Sequence, residues 1–124
     1  MINSSNSSLQ EHIDEYIYKY SNEDDLVQLI GEDGANYRTK RLSASKYSYL
    51  PLWGSFTKER KQLIASEMIL DIQKNRPKLI FIVNNYYPKF NSVIVRKEEW
   101  DKFLDENYRM DLNLINEFIV YIRK

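Results

Sequence analysis

Residues 78–83, KLIFIV, decide the fold, because they contain the longest apolar run of the chain and are rich in branched and aromatic side chains. A continuous run of this kind is typical of a central strand that is covered on both faces. Residues 75–77, NRP, end the helical pattern before it, since proline disfavours the helical conformation of the preceding residue. The run therefore predicts a buried strand that follows a helix, which is the second half of a βαβ unit.

The helix before this strand is predicted over residues 58–74, with Ser55 or Thr57 as its cap. Its broad apolar set suits packing on a sheet: Leu63, Ile64, Ala65, Met68, Ile69, Leu70 and Ile72. Further upstream, residues 26–30 (LVQLI) indicate a short buried strand, and residues 31–34 (GEDG) break it with types suited to turns. We therefore expect the two strands to be parallel, with a right-handed crossover.

The rest of the chain adds one helix before this unit and a helix and two strands after it. Residues 8–11, SLQE, form a capping box for a helix that ends near Tyr20, after a disordered lead-in over residues 1–7. Residues 37–53 suggest a short strand or an extended loop, and residues 84–91 a loop. A helix over residues 97–106, with Asn107 as a left-handed cap, precedes antiparallel strands at 108–112 and 117–123.

Together these elements predict a single α/β domain over residues 8–124. The expected architecture is a three-layer (αβα) Rossmann-like domain with a small mixed sheet, a parallel βαβ core and a C-terminal antiparallel hairpin. The length of 124 residues fits one compact domain.

Composition argues against most catalytic designs. The chain has no cysteine and one histidine, which excludes a thiolate metal site, a cysteine nucleophile and a histidine-rich metal centre. His12 lies off the apolar stripe of its helix, no nucleophile elbow is present, and no glycine-rich phosphate loop occurs. The sequence therefore assigns no catalytic residue, no metal and no cofactor.

The balanced total of 18 basic and 18 acidic residues hides a strong asymmetry. Residues 1–25 carry six acids and one lysine, a net charge of −5, whereas residues 36–61, the basic stretch, carry seven bases and one acid, a net charge of +6. Cations interleaved with aromatic rings suit a phosphate-bearing ligand, single-stranded nucleic acid or a lipid headgroup layer. The candidate ligand-binding residues are Arg38, Lys40, Arg41, Lys46, Tyr47, Tyr49 and Trp53. The alternative is that the aromatic side chains belong to the hydrophobic core and the basic side chains form the solvent-exposed face of a loop.

A second candidate site follows from the predicted topology. In open α/β sheets, ligands bind beyond the carboxyl ends of the parallel strands. Glu32 and Asp33 follow the first strand, and Asn84 and Asn85 follow the second. We expect these four residues to share one edge of the sheet and to form a ligand site there. The alternative is that they have structural roles or simply face solvent.

Three stretches of the chain resemble a known family: residues 67–83 (EMILDIQKNRPKLIFIV), 100–108 (WDKFLDENY) and 118–124 (FIVYIRK). Together with residues 26–31 and 45–49, they look like the C-terminal tail of bacterial dolichyl-phosphate-mannose mannosyltransferase-like (GT-C superfamily) membrane glycosyltransferases. The resemblance covers roughly residues 25–124 and rests on loose patterns. It implies a lipid-phosphate-linked sugar donor and catalytic acids in a membrane-embedded portion that this chain does not contain.

The resemblance thus implies a non-catalytic accessory domain on the extracytoplasmic side of a bacterial membrane. Its partners would be the membrane-embedded part of the same parent protein and a polyprenyl-phosphate sugar or anionic lipid. The chain would be either an excised domain or a free-standing relative with another role. The alternative function is an anion- or nucleic-acid-binding module that uses the basic stretch, although a net charge of zero gives no overall attraction to nucleic acid.

Overall fold

The computed structural model describes residues 4–47, 56–112 and 117–124. The helices in these ranges are α1 (Ser4–Tyr20), α2 (Ala35–Thr39), α3 (Lys58–Asn75), α4 (Tyr87–Ser92) and α5 (Lys97–Asn107). The strands are β1 (Val27–Ile30), β2 (Leu79–Val83), β3 (Tyr108–Leu112) and β4 (Phe118–Arg123), and a 3₁₀ turn covers Asn84–Tyr86. The protein is therefore a mixed α/β fold.

The four strands form one mixed, open sheet in the order β1-β2-β4-β3. β1 and β2 are parallel, with Val27 opposite Leu79 and Ile30 opposite Ile82. β4 runs antiparallel to both of its neighbours, β2 and β3. The predicted parallel pair and the predicted C-terminal antiparallel pair are confirmed, and β4 joins them into one sheet.

β2 is the central strand that its sequence predicts, since all five of its residues are buried. Successive side chains of a strand point to opposite faces, and the residues of β2 accordingly enter two apolar clusters. In one cluster, Ile80 and Ile82 of β2 join residues of α3, α4 and α5, among them Met68, Ile72, Phe90 and Trp100. In the other, Leu79, Phe81 and Val83 of β2 join residues of α1 and β4, among them Ile13, Ile17 and Phe118. Each large side chain buried in this way stabilises the fold by about 1.5–3 kcal/mol.

The ends of the long helices agree only in part with the prediction. α1 begins at Ser4, so the predicted capping box that starts at Ser8 lies inside the helix. Residues 4–7 of the predicted lead-in thus belong to α1, and residues 1–3 lie outside the described part of the chain. α3 follows the prediction more closely, because the Thr57 side chain accepts a hydrogen bond from the Arg60 N–H, and the chain leaves the helix at Arg76 in the left-handed region.

Three local predictions are wrong in part or in full. Of residues 37–53, predicted as a short strand or an extended loop, residues 37–39 belong to α2, residues 40–47 form neither helix nor strand, and residues 48–53 lie outside the described part of the chain. Residues 84–91, predicted as a loop, hold the 3₁₀ turn and most of α4. Helices of five and six residues are too short to show a periodic apolar pattern. Asn107 is the last residue of α5 rather than a left-handed cap, because Tyr108 continues directly into β3 with a φ of −134°.

Within the described ranges, none of the helices combines the length and the apolar character that crossing a membrane requires.

Candidate functional site

The predicted strand-end edge is occupied by the protein's own side chains. Glu32 is buried, and one of its carboxylate oxygens accepts a hydrogen bond from the Ala35 N–H at 3.0 Å, at the start of α2. Its other oxygen, Oε1, lies 3.0 Å from Nη2 of Arg38 as an ion pair that is not aligned as a hydrogen bond. Glu32 therefore caps a helix and holds an arginine, which accounts for its burial without a ligand.

The space above the end of β1 is filled by an aromatic ring. A Cβ on Gly31 would lie 2.6 Å from Cδ2 of Tyr86, so the ring packs directly on the glycine backbone. Asn84 follows β2 at the same edge, where its N–H donates to the Glu117 carbonyl at 3.0 Å. Asp33 and Asn85 are exposed. The structure thus places these residues after the two parallel strands, as expected, but Tyr86 covers the end of β1.

Arg38, the first cation of the basic stretch, bridges two acids instead of facing solvent alone. Its Nε and Nη2 atoms donate to the two carboxylate oxygens of Asp14 on α1, at 2.8 and 3.0 Å. The hydrogen bond to Asp14 raises the pKa of Arg38, and the nearby Glu32 carboxylate raises it further. The guanidinium therefore connects α1 to the turn after β1.

The middle of the basic stretch is also held by protein groups. Lys46 Nζ lies 2.5 Å from Oε2 of Glu67 on α3, and the Tyr47 hydroxyl donates to the same oxygen at 3.4 Å. The contact with Lys46 lowers the pKa of Glu67 and raises that of Lys46. Lys40 is exposed, and Tyr49 and Trp53 lie outside the described residues.

Arg41 makes its contacts near the C-terminal end of α1. It is buried, and its guanidinium donates to the Thr39 carbonyl at 2.8 Å and to the Ser21 carbonyl at 3.2 Å. Its guanidinium carbon also lies 5.5 Å from the ring centre of Tyr18. Ser21 and Tyr18 both line a polar cleft at the end of α1, so Arg41 supports the wall of that cleft. The structure therefore does not bring the four predicted cations to one ligand site.

This polar cleft, called here the cationic cleft, has a volume of about 370 Å³. Three segments distant in sequence line it, through Tyr18, Lys19, Tyr20, Ser21, Asn22, Asp25, Lys78 and Arg123. Asp25 lies just before β1 and Lys78 just before β2, whereas Arg123 is the last residue of β4. The cleft therefore lies at the amino ends of the parallel strands, opposite the edge that the sequence predicts.

Backbone hydrogen bonds fix the three cleft segments relative to one another. The Lys78 N–H donates to the Leu26 carbonyl at 2.8 Å, and the Arg123 N–H donates to the Lys78 carbonyl at 2.9 Å. The Asp25 side chain accepts from the Asn22 N–H at 2.8 Å and thereby closes the turn after α1. The cleft is thus built partly on the ends of paired strands, which fix the backbone positions of Lys78 and Arg123.

Positive charge dominates the lining of the cleft. Lys19, Lys78 and Arg123 give three positive charges against the one negative charge of Asp25, a net charge of +2. Arg123 has protein contacts of its own, since its Nη1 donates to the Arg76 carbonyl at 2.6 Å, and its Nη2 lies 4.0 Å from Oδ1 of Asp25. Glu23 and Asp24 of the same turn are exposed and lie outside the lining. A cleft of this character can bind an anion through charge-assisted hydrogen bonds.

The ring of Tyr20 lies beside Lys19 of the cleft and beside Arg109. The Nζ atom of Lys19 lies 5.3 Å from the ring centre of Tyr20, and the guanidinium carbon of Arg109 lies 6.0 Å from the same ring. Contacts at such distances are attractive because the ring face carries partial negative charge. They keep two cations beside the cleft.

A second cavity of about 330 Å³ lies between α3 and the segment that leads into α5. Its lining is mostly apolar and consists of Ser66, Ile69, Leu70, Gln73, Ile94, Val95, Arg96 and Glu99. Among these lining residues the one cation is Arg96, which lies 3.7 Å from the Glu99 carboxylate. This cavity offers little to an anion, and we place the candidate site in the cationic cleft.

The cleft is hard to find from the sequence because its cations are isolated from one another along the chain, whereas those of the basic stretch are contiguous. The sequence does contain one signal for the cleft: Lys78 flanks the central strand and Arg123 ends the last one, and antiparallel pairing brings such strand ends together.

In the described part of the chain, no group of three or more histidine, aspartate or glutamate side chains is arranged to hold a metal ion. Comparisons with known protein families, with curated proteins and with solved structures find no match to the chain.

Proposed function

We propose that this chain is a non-catalytic binding domain for an anionic, phosphate-bearing ligand, which the cationic cleft receives. The observation that carries the proposal is the convergence of Lys19, Lys78 and Arg123 from three segments on one polar cleft. Hydrogen bonds from charged donors to phosphate oxygens are about twice as strong as those between neutral groups. The flanking tyrosines supply ring faces and hydroxyl groups for the rest of such a ligand.

A binding role is favoured over catalysis by the state of the polar groups around the cleft. The Ser21 hydroxyl donates to the Ile17 carbonyl at 2.5 Å and accepts from Arg41 at 3.3 Å, so it is committed to structure. His12 is paired with Glu117 at 2.7 Å and is not part of the cleft lining. These contacts leave the cleft with cations that bind rather than a base that activates a nucleophile.

The resemblance to membrane glycosyltransferases suggests which phosphate to test first. As an extracytoplasmic accessory domain of such a protein, the chain would contact a polyprenyl-phosphate sugar beside the membrane-embedded part of its parent. We also propose the finer fold description, a three-layer Rossmann-like domain. It is supported by the one parallel βαβ unit and by the apolar clusters to which β2 contributes alternate residues.

An anion site in the basic stretch is the weaker alternative. Arg38, Arg41 and Lys46 each have partners within the protein, so a ligand would have to displace them or use the exposed Lys40. Breaking the contacts of a buried arginine costs more than a surface phosphate contact returns.

The proposal is tested by calorimetric titration with inorganic pyrophosphate. We expect saturable binding that weakens about a hundredfold or more when Lys19→Gln and Lys78→Gln are combined, because each lost charged hydrogen bond costs about 1.5–3 kcal/mol. The matched control combines Lys74→Gln with Lys102→Gln, two exposed lysines outside the cleft, and leaves affinity unchanged. Absence of binding to the unmodified chain, or equal loss in both double variants, would sink the proposal.

Vesicles that contain polyprenyl phosphate distinguish a lipid-linked phosphate ligand from a free one. Cleft-dependent binding to these vesicles that is tighter than the binding to free pyrophosphate indicates a lipid-linked ligand. Cleft-dependent binding to pyrophosphate with none to the vesicles indicates a free one.

A further inference from the structure

β3 is an edge strand of the sheet, and among the described residues no strand covers its outer side. It is the last strand in the order β1-β2-β4-β3 and, within the described residues, pairs with β4 alone. The opposite edge is covered, since the Val27 N–H of β1 donates to the Leu42 carbonyl and the Gln28 side chain donates to the Tyr47 carbonyl. An uncovered edge strand presents N–H and C=O groups that can pair with another strand.

The register of β3 shows which backbone groups face outward. The Lys124 N–H donates to the Asn107 carbonyl, which makes this an inward-facing, hydrogen-bonded pair. Because such pairs alternate along antiparallel strands, the backbone groups of Arg109 and Asp111 also face β4. Met110 lies between them and therefore presents both its N–H and its C=O to the open edge.

The neighbours of Met110 extend this pattern. The Tyr108 N–H is already bonded to the Leu104 carbonyl at the end of α5, so Tyr108 offers only its C=O. Leu112, two residues beyond Met110, offers both backbone groups by the same alternation. The open edge is short and consists of a few defined donors and acceptors.

The side chains of β3 divide by face. Arg109 and Asp111 share the α1 face, where the Tyr16 hydroxyl donates to Asp111 at 3.2 Å. Arg109 is exposed and forms no ion pair with the described residues. Met110 is on the other face and is 56% exposed. An acid and a base thus flank a central apolar residue.

We propose that β3 pairs with β3 of a second copy of this chain, antiparallel and about a two-fold axis at Met110. In that register the two Met110 residues exchange both backbone hydrogen bonds, and each Arg109 lies opposite Asp111 of the second copy. The Leu112 N–H then faces the free carbonyl of Tyr108 across the axis. The contact is isologous, as in most homodimers, and joins two four-stranded sheets into one of eight strands.

The charges select this register over its neighbours. A shift of two residues in either direction places Arg109 opposite itself or Asp111 opposite itself, and like charges directly opposite each other are destabilising. A shift of one residue places each charge opposite an apolar residue. The sequence Arg-Met-Asp is therefore self-complementary only when Met110 is on the axis.

Sedimentation equilibrium of charge-swapped variants tests the proposal. The unmodified chain should approach twice its mass of 14.9 kDa as concentration rises. Arg109→Asp alone, or Asp111→Arg alone, should weaken the dimer roughly tenfold or more, because two cross-strand pairs become repulsive. An equimolar mixture of the two variants, and the double variant R109D/D111R, should dimerise again. The control Lys102→Asp, an exposed lysine on α5, should leave the dimer unchanged.

Hydrogen exchange gives an independent readout. The Met110 N–H should become protected as concentration rises, whereas the Arg109 N–H, which faces β4, is protected at every concentration. A chain that stays at 14.9 kDa throughout would overturn the proposal. So would single variants that dimerise as well as the unmodified chain, or a charge-swapped mixture that fails to recover.

Discussion

Replacing Arg38 with methionine tests whether the buried acid after β1 depends on this cation. Arg38→Met keeps most of the length and the apolar contacts of the side chain but removes its charge. Glu32, whose side chain is 6% exposed, then loses the guanidinium 3.0 Å from its Oε1 atom. Asp14 loses both of its hydrogen bonds from Arg38. The variant therefore leaves a buried carboxylate without a cation.

The expected cost is about 2–3 kcal/mol in the free energy of unfolding. Removing one partner of a fully buried pair costs about 3–5 kcal/mol. The value here is smaller because the Arg38 side chain is 32% exposed, so solvent screens part of the interaction. Glu32 also keeps its hydrogen bond from the Ala35 N–H, which continues to stabilise the carboxylate.

Urea unfolding of a double-mutant cycle measures this cost. Glu32→Gln removes the buried charge and keeps an oxygen that can accept from Ala35. In that background Arg38→Met should cost less than about 1 kcal/mol, because the uncompensated charge is gone. Lys40→Met, at an exposed cation two residues away, is the control and should stay within about 0.5 kcal/mol. An equal cost of Arg38→Met in both backgrounds would refute the reasoning.

Further predictions concern the backbone and one buried tyrosine. Arg76→Gly should raise stability in urea unfolding by about 0.5–1 kcal/mol, because Arg76 has a φ of 45°, whereas Lys74→Gly inside α3 should lower it by a similar amount. Gly31→Ala should lower stability by more than about 1 kcal/mol, since its φ is 97° and its new Cβ would meet Tyr86, and Tyr86→Ala should relieve only the steric part. Burial raises the pKa of Tyr108 above its usual 10.0, so above that pH the unfolded chain binds fewer protons than the folded one. Tyr108 should then lower stability by about 1.4 kcal/mol per pH unit in an alkaline unfolding series, and Tyr108→Phe should reduce the measured slope by that amount.

Much of the fold follows from local sequence. The apolar run of β2 is long enough to indicate a strand buried on both faces, and the helix before it fixes the parallel partner. The errors concern α2 and α4, which are shorter than two turns and show no periodic pattern. α2 depends instead on a buried contact, the hydrogen bond from Ala35 to Glu32, which only the tertiary structure reveals.

The candidate site was less predictable, because charges adjacent in sequence separate in space. Arg38 turns to α1, Arg41 to the end of α1, and Lys46 to α3. The left-handed conformation of Lys40 helps to turn the chain between the first two. Conversely, Lys78 and Arg123 are 45 residues apart and meet because β4 pairs with β2, with the Lys78 Nζ 3.5 Å from the Arg123 carbonyl.

Amide chemical shifts recorded during a titration with inorganic pyrophosphate test the central claim most directly. The account predicts saturable shifts at Ser21, Asn22, Lys78 and Arg123, which line the cationic cleft, and no comparable shifts at Lys40 or Lys46. Shifts centred on Lys40 and Lys46 would show that the ligand binds the basic stretch instead of the cationic cleft. Those shifts, or the absence of any saturable shift, would contradict the account.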